Sequence, residues 1–264
     1  MGEETTWFDL LPGVHNLTKF AEAYLRRDFA IQAFPTSFSI THVLAVGLVF
    51  LFCVLGALSF SRAVGKGGEA AIVPPRGWNL RNLFEMFTDA VLSVGEGVMG
   101  PKNARKYLPL IGTLACFIFF SNVMALIPGF APATATPKTN IALALTVFVL
   151  THYYGVKENG LAYFKHFLGP VLWLAPLFLI IELISHIARP LSLTLRLMGN
   201  MFADHKVVSA FFVLVPLLVP VPFLILGVLV CIIQTMVFCL LSMVYIQGAV
   251  AHEHADEGHE DHHH

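Results

Sequence analysis

Long apolar stretches constrain this chain more than any other feature. They fall at about 40–60, 108–128, 140–155, 171–213 and 217–247. Crossing the hydrocarbon core of a bilayer takes about 20 residues of helix, and most of these stretches are near or beyond that length. Charged residues are only 12% of the 264, and apolar residues are 56%. A soluble domain carries about 25% charged residues. The expected fold is therefore all-α and polytopic, with about five membrane helices. A formal net charge of -1 gives no basis for nucleic-acid binding. Cys53, Cys116, Cys231 and Cys239 all sit inside apolar runs without a CxxC pair, so they read as inert packed thiols.

Between the runs lie segments of a different kind. Residues 1–39 are mixed and polar, form an N-terminal extramembrane segment, and lack the pattern of a cleaved signal peptide. Over 79–100, Leu80, Leu83, Phe84, Phe87, Val91 and Val94 recur at helical spacing while Arg81, Glu85, Asp89 and Glu96 interrupt them. That pattern is too polar to span and predicts an amphipathic helix at the membrane surface. The tail 248–264, rich in His and acids, has the composition of a disordered terminus with adventitious metal affinity. Trp7, Trp78 and Trp173, and the lone histidines His42 and His152, read as interfacial groups near span ends.

Basic residues set the expected orientation. The 61–107 connection carries Arg62, Lys66, Arg76, Arg81, Lys102, Arg105 and Lys106, and the 156–170 loop carries Lys157 and Lys165. The 129–139 loop carries only Lys138. The first two connections and the C-terminus are thus placed in the cytoplasm, and the N-terminal segment outside.

The fourth run holds the unusual chemistry: Glu182, His186, Arg189, Arg196, Asp204, His205 and Lys206. Each charge at mid-membrane costs about 2.5–3.5 kcal/mol on insertion scales, so these groups need partners, water or a protein surface. Glu182, Arg189 and Arg196 recur every seventh position, each within about 20° of the next on a helix. Ser185, Ser192, Asn200 and Ala203 fall near the same line. Glu182 and Arg189 form a candidate structural ion pair. Arg196 has no acid within four residues, and its guanidinium stays protonated. A fixed charge in an apolar setting points to function.

The stretch Ala188–Asp204, ARPLSLTLRLMGNMFAD, resembles the signature of subunit a of F-type ATP synthases, the stator half of the proton channel. The similarity extends over about 40–247 and includes NVMALIP at 122–128, the Pro- and Thr-rich loop before Asn140, Glu182, and the last helix with Gln234. The resemblance implies a long tilted helix hairpin beside the c-ring, with Arg196 facing each ring carboxylate in turn. It implies two offset aqueous half-channels whose coupled proton flow turns the ring for ATP synthesis. Asn200 and Gln234 match polar positions near the arginine, and Glu182 matches an acid of the cytoplasmic exit path. On the uptake side the chain departs from the family: His205 stands at the usual acid position and Gly227 at the usual histidine position. Asp204 is a candidate for the missing acid. Implied partners are the c-ring, b-type peripheral stalk subunits and the rest of the complex, in a bacterial inner membrane. No catalytic site, cofactor or metal is expected in this chain. A secondary transporter is disfavoured because no inverted repeat is visible. An intramembrane enzyme is disfavoured because Glu182 and His186 do not complete an HExxH motif.

Overall fold

The computed structural model describes residues 40–67, 79–127, 130, 134, 137–160, 163, 175–214 and 220–250. Within the helices, residues 40–42, 63–67, 175, 201–202, 204–205, 208–209, 211–214 and 220–221 are described by their backbone only. The N-terminal segment, the three tryptophans and the acidic, His-rich tail lie outside the described residues, as does the side chain of His42.

Five helices make up the bundle: α1 (Ile40–Gly67), α2 (Leu80–Ala125), α3 (Pro137–Asn159), α4 (Ala175–Leu214) and α5 (Pro220–Val250). All five are long and apolar enough to cross a membrane, so the chain is all-α and polytopic among the described residues. Each apolar run falls on a helix. The two longest elements are α2, with 46 residues, and α4, with 40.

The α2 element is bent back on itself. Gly100 has φ 75 and ψ 162, a non-helical conformation inside the run. Only glycine adopts it without strain. Pro101 follows at the first position of the second arm, where its missing N–H costs nothing. About 24 Å and 30 Å of helix separate Gly100 from Phe84 and Phe120, yet the two rings are 5.4 Å apart. Phe87 and Phe119 are 5.2 Å apart one turn further in. The two arms are therefore antiparallel to within roughly 20°.

The amphipathic helix expected over 79–100 is thus the first arm, and its apolar side is covered by protein. Three of its four charges are paired, Arg81 with Glu85 at 3.6 Å and Glu96 with Arg105 at 3.7 Å, and Asp89 is exposed. Pairing lowers the cost of keeping these groups beside apolar helices. The arm runs back along the second arm instead of standing apart from it.

Helix α1 closes on this hairpin through Phe52, whose ring lies 5.8 Å from Phe84 and 4.8 Å from Phe120. The contact is made possible by Gly56, where a Cβ would collide with the Phe84 ring. Gly47, on the open side of α1, has nothing within 4 Å. Gly56→Leu is therefore expected to destabilise α1 docking by about 1–3 kcal/mol, the usual cost of overpacking. Gly47→Leu should leave it unchanged. Thermal unfolding of the purified complex, followed by loss of this chain, distinguishes the two.

The remaining helices assemble around α5 and the second arm of α2. Met99, Tyr107, Ile111 and Ala115 of α2 meet Cys239, Met243 and Ile246 of α5 in one buried cluster. A second cluster joins Leu114 and Ile118 of α2, Ala144 and Val147 of α3, Leu193 and Leu197 of α4, and Phe238 of α5. Polar links tie one end of the bundle together: Asn103 donates to Gln247 at 3.2 Å and Asn159 to the Ala249 carbonyl at 2.7 Å, and Lys106 pairs with Glu158. Lys102, Arg105 and Lys106 thus lie at the same end of the bundle as Lys157.

The outer surface of the bundle is apolar, unlike that of a soluble protein, and polar residues share the interior with the apolar clusters. Exposed large residues include Phe50, Leu51, Ile180, Ile184, Ile187, Leu195, Ile225 and Leu229. Buried polar residues include Ser121, Asn122, Thr134, Asn140, His186 and Gln234. An apolar outer surface of this extent fits a lipid solvent.

Candidate functional site

Helices α4 and α5 form an antiparallel hairpin, shown by three contacts at successive levels. Asn200 Nδ2 donates to Gln234 Oε1 at 2.6 Å. Leu193 and Leu197 pack with Phe238. The Arg189 guanidinium lies 5.1 Å from the centre of the Tyr245 ring. On α4, Leu193, Thr194 and Leu197 face inward, whereas Ala188, Ser192, Arg196, Gly199, Asn200 and Ala203 lie on the exposed side. Small residues around Arg196 leave its charge accessible to a neighbouring surface. Arg196 makes no ion pair among the described residues.

Gln234 is 3% exposed, and its Nε2 has no hydrogen-bond partner among the described residues. The amide is therefore anchored to Asn200 on one side and carries an unused donor on the other. Pro190 removes the backbone N–H that would bind the His186 carbonyl. The hydroxyl of Thr194 donates to the Pro190 carbonyl at 2.8 Å and that of Ser192 to the Arg189 carbonyl at 3.0 Å.

Toward the end of the bundle that holds Glu158 and Gln247, Glu182 sits one turn before His186 and two before Arg189. Its Oε1 is 3.3 Å from His186 Nδ1 and 3.9 Å from Arg189 Nη2. The structure thus places the Glu182–Arg189 candidate pair at the outer limit of an ion pair, with His186 closer. His186 is 6% exposed, and its ring centre is 5.0 Å from that of His152 on α3. His152 differs from its sequence expectation: it is half-buried, against Phe148, Tyr163 and His186, and is neither alone nor simply interfacial. Sequence reasoning had a signal for His186, its i,i+4 spacing from Glu182, and none for His152.

A second polar group, between α2 and α3, falls on segments that the sequence singles out only through the resemblance. Thr134 Oγ1 donates to Asn122 Oδ1 at 2.8 Å, and Asn140 Nδ2 donates to the Thr134 carbonyl at 2.6 Å. All three residues are 0% exposed. Asn122→Ala would strand the Thr134 hydroxyl. We expect a loss of about 1–3 kcal/mol, the cost of an unsatisfied buried group, measured as a lower unfolding temperature of the complex.

The side chains of Asp204 and His205 lie outside the description; their backbone belongs to α4. Gly227 is buried, and a Cβ there would sit 2.6 Å from Leu126 Cδ2. Leu126 thus fills the space that a larger residue at 227 would need, which gives the glycine a packing reason. Among the described residues no group of three or more His, Cys, Asp or Glu side chains is arranged to hold a metal.

Comparison with known proteins places this architecture. The family model described as ATP synthase A chain matches residues 39–247. The chain is 52% identical over 215 residues to ATP synthase subunit a 1 of Syntrophotalea carbinolica, covering 81% of this chain and 88% of that protein. It is 46% identical over 239 residues to ATP synthase subunit a 2 of the same organism, covering 90% and 97%. With ATP synthase subunit a of Bdellovibrio bacteriovorus it shares 42% over 214 residues, covering 81% and 93%. On the family match and these relatives together, the chain belongs to the ATP synthase A chain family, the non-catalytic, proton-translocating subunit a of the membrane sector.

Proposed function

We propose that this subunit couples proton flow to rotation through Arg196, held on the open face of α4 against a ring of c subunits. The observation that carries the reading is the position of Arg196: exposed, without an ion pair among the described residues, and set among small side chains on an otherwise apolar helix. A permanent cation there favours the ionised form of any carboxylate that faces it. Each ring carboxylate would lose its proton on approaching Arg196 and regain one after passing it. The fixed charge also blocks protons from slipping directly between the two sides.

Two aqueous half-channels, offset along α4 and α5, serve the arginine. Glu182 lines the cytoplasmic one. His205 and Asp204 line the other, with Asn200 and Gln234 forming its polar border beside Arg196. Asp204 supplies the acid that position 205 lacks. B-type peripheral stalk subunits hold the chain against the ring, and the complex resides in a bacterial inner membrane.

Thiol accessibility tests the half-channels. In a background lacking Cys53, Cys116, Cys231 and Cys239, Glu182→Cys should react with a membrane-impermeant reagent added from the cytoplasmic side only. His205→Cys should react from the opposite side only. Labelling of both from one side would reject the two-path arrangement. Replacing Asp204 with Asn and His205 with Ala together should lower proton flux; unchanged flux would remove both residues from the path.

A further inference from the structure

The junction of α3, α4 and α5 holds two imidazoles to which the reading above gives no role. His186 and His152 meet edge to face, their centres 5.0 Å apart. In each ring Nδ1 lies 2.8 Å from the carbonyl four residues earlier, Glu182 for His186 and Phe148 for His152. A carbonyl only accepts, so Nδ1 carries the proton in each neutral ring and Nε2 is the basic atom. Oε1 of Glu182 lies 3.3 Å from the same Nδ1 of His186. Beside the rings is a small cavity lined by Thr151, His152, His186, Arg189 and Tyr245 among others, with room for about one water.

Burying ionisable side chains inside a membrane bundle is expensive, and such groups mark ion or proton paths more often than packing. Imidazole is suited to that task because its unperturbed pKa, about 6.5, lies near physiological pH. The groups facing the pair are Glu182 and Arg189 from α4, Tyr163 from the segment after α3, and Tyr245 from α5. The Arg189 cation is drawn toward Tyr245, and the Glu182 carboxylate is the group nearest the His186 ring.

We propose that His186 and His152 form a two-histidine proton relay between the Arg196 region of α4 and Glu182. The proposal rests on the reading of Glu182 as part of the cytoplasmic path. In each transfer His152 takes a proton on Nε2 and passes it from that atom through the cavity water to Nε2 of His186, which becomes an imidazolium. It then gives its Nδ1 proton to Oε1 of Glu182, which releases a proton to cytoplasmic water. One proton has moved, and His186 is left neutral with its proton on Nε2. A turn of the ring then lets Nδ1 take a proton from the cavity water as Nε2 returns one to it, which restores the starting tautomer with no net change in the water.

The test is ATP-driven proton pumping by the whole reconstituted complex carrying His186→Gln, His152→Gln or both, across about pH 6 to 9. Glutamine keeps a hydrogen-bonding side chain and cannot carry the proton. Each single variant should pump at least about tenfold more slowly, lose the imidazole-dependent limb of the pH profile, and recover in part with millimolar imidazole. The double variant should be little slower than the singles, because the two rings act in series. Wild-type pumping by either assembled variant overturns the relay. So does slower pumping with an unchanged pH profile and no rescue, the signature of a merely structural role. Should His186→Gln fail to assemble, the half-buried His152 decides alone. Arg196→Ala separates the underlying reading: if it pumps normally, that reading falls. If it is silent while both histidine variants are normal, only the relay falls.

Discussion

Replacing Arg196 with alanine is expected to abolish ATP-driven proton pumping in complexes that still assemble. Assembly should survive because the packing of α4 does not use this side chain. Leu193 and Leu197 make the buried contacts, at 3% and 0% exposure, while Arg196 lies outward. The loss is electrostatic. An opposite charge within about 4–6 Å lowers a carboxylate pKa by about 1–3 units, which is a factor of about 10 to 1000 in proton affinity. Without it, a ring carboxylate would keep its proton through the passage that should release it. Arg196→Lys should retain only a fraction of the rate, because a desolvated lysine can give up its proton and an arginine cannot. Arg105→Ala is the control, since its side chain is 73% exposed and its pairing with Glu96 is a surface contact. Acidification of vesicles carrying each variant gives the answer. Wild-type pumping by Arg196→Ala would make the residue a structural charge and defeat the stator mechanism.

The second large effect is expected at Gly100. Its φ of 75 with ψ of 162 is closed to side-chain-bearing residues without strain, although nothing lies within 4 Å of where a Cβ would stand. Gly100→Ala therefore isolates the backbone cost, about 1–3 kcal/mol. Gly97 offers the opposite case on the same arm: it is helical, exposed and equally uncrowded. Gly97→Ala should stabilise its helix by up to about 1 kcal/mol. The two single-methyl changes, three residues apart, should thus shift the unfolding temperature of the complex in opposite directions. A shift of the same sign at both positions would mean that the bend at Gly100 does not hold the arms together.

Much of the fold is legible in the sequence because its signals are local. A run such as Ile40–Phe60 needs no tertiary information to be recognised as a membrane helix. The same holds for the charge pattern of 171–213, where the repeat of Glu182, Arg189 and Arg196 marks one charged stripe along α4. What escaped depends on contacts between distant segments. The pattern over 79–100 shows an amphipathic helix, but which surface covers its apolar side is decided by Phe52 and Phe120, far away in sequence. His152 looks isolated until α3 and α4 are placed side by side. Asn122, Thr134 and Asn140 are ordinary polar residues singly and become one buried network only when Thr134 bonds to both Asn122 of α2 and Asn140 of α3. Gly227 reads as a missing functional group, and the structure adds the reason that Leu126 occupies its space.

The apolar outer surface of the bundle also predicts how the chain tolerates change. In a soluble protein the interior is the region that rejects polar substitutions, and the surface accepts nearly anything. Here the outer faces of α1, α4 and α5 should accept exchange among Leu, Ile, Val and Phe freely, yet reject single charges at a cost of about 2.5–3.5 kcal/mol each at mid-membrane depth. The interior should show the reverse bias: Asn122, Asn140 and Gln234, already hydrogen-bonded to neighbours, should be more sensitive to apolar replacement than the residues on the outer faces. A complete substitution scan read out by complex assembly would then draw the usual map of mutational tolerance inside out.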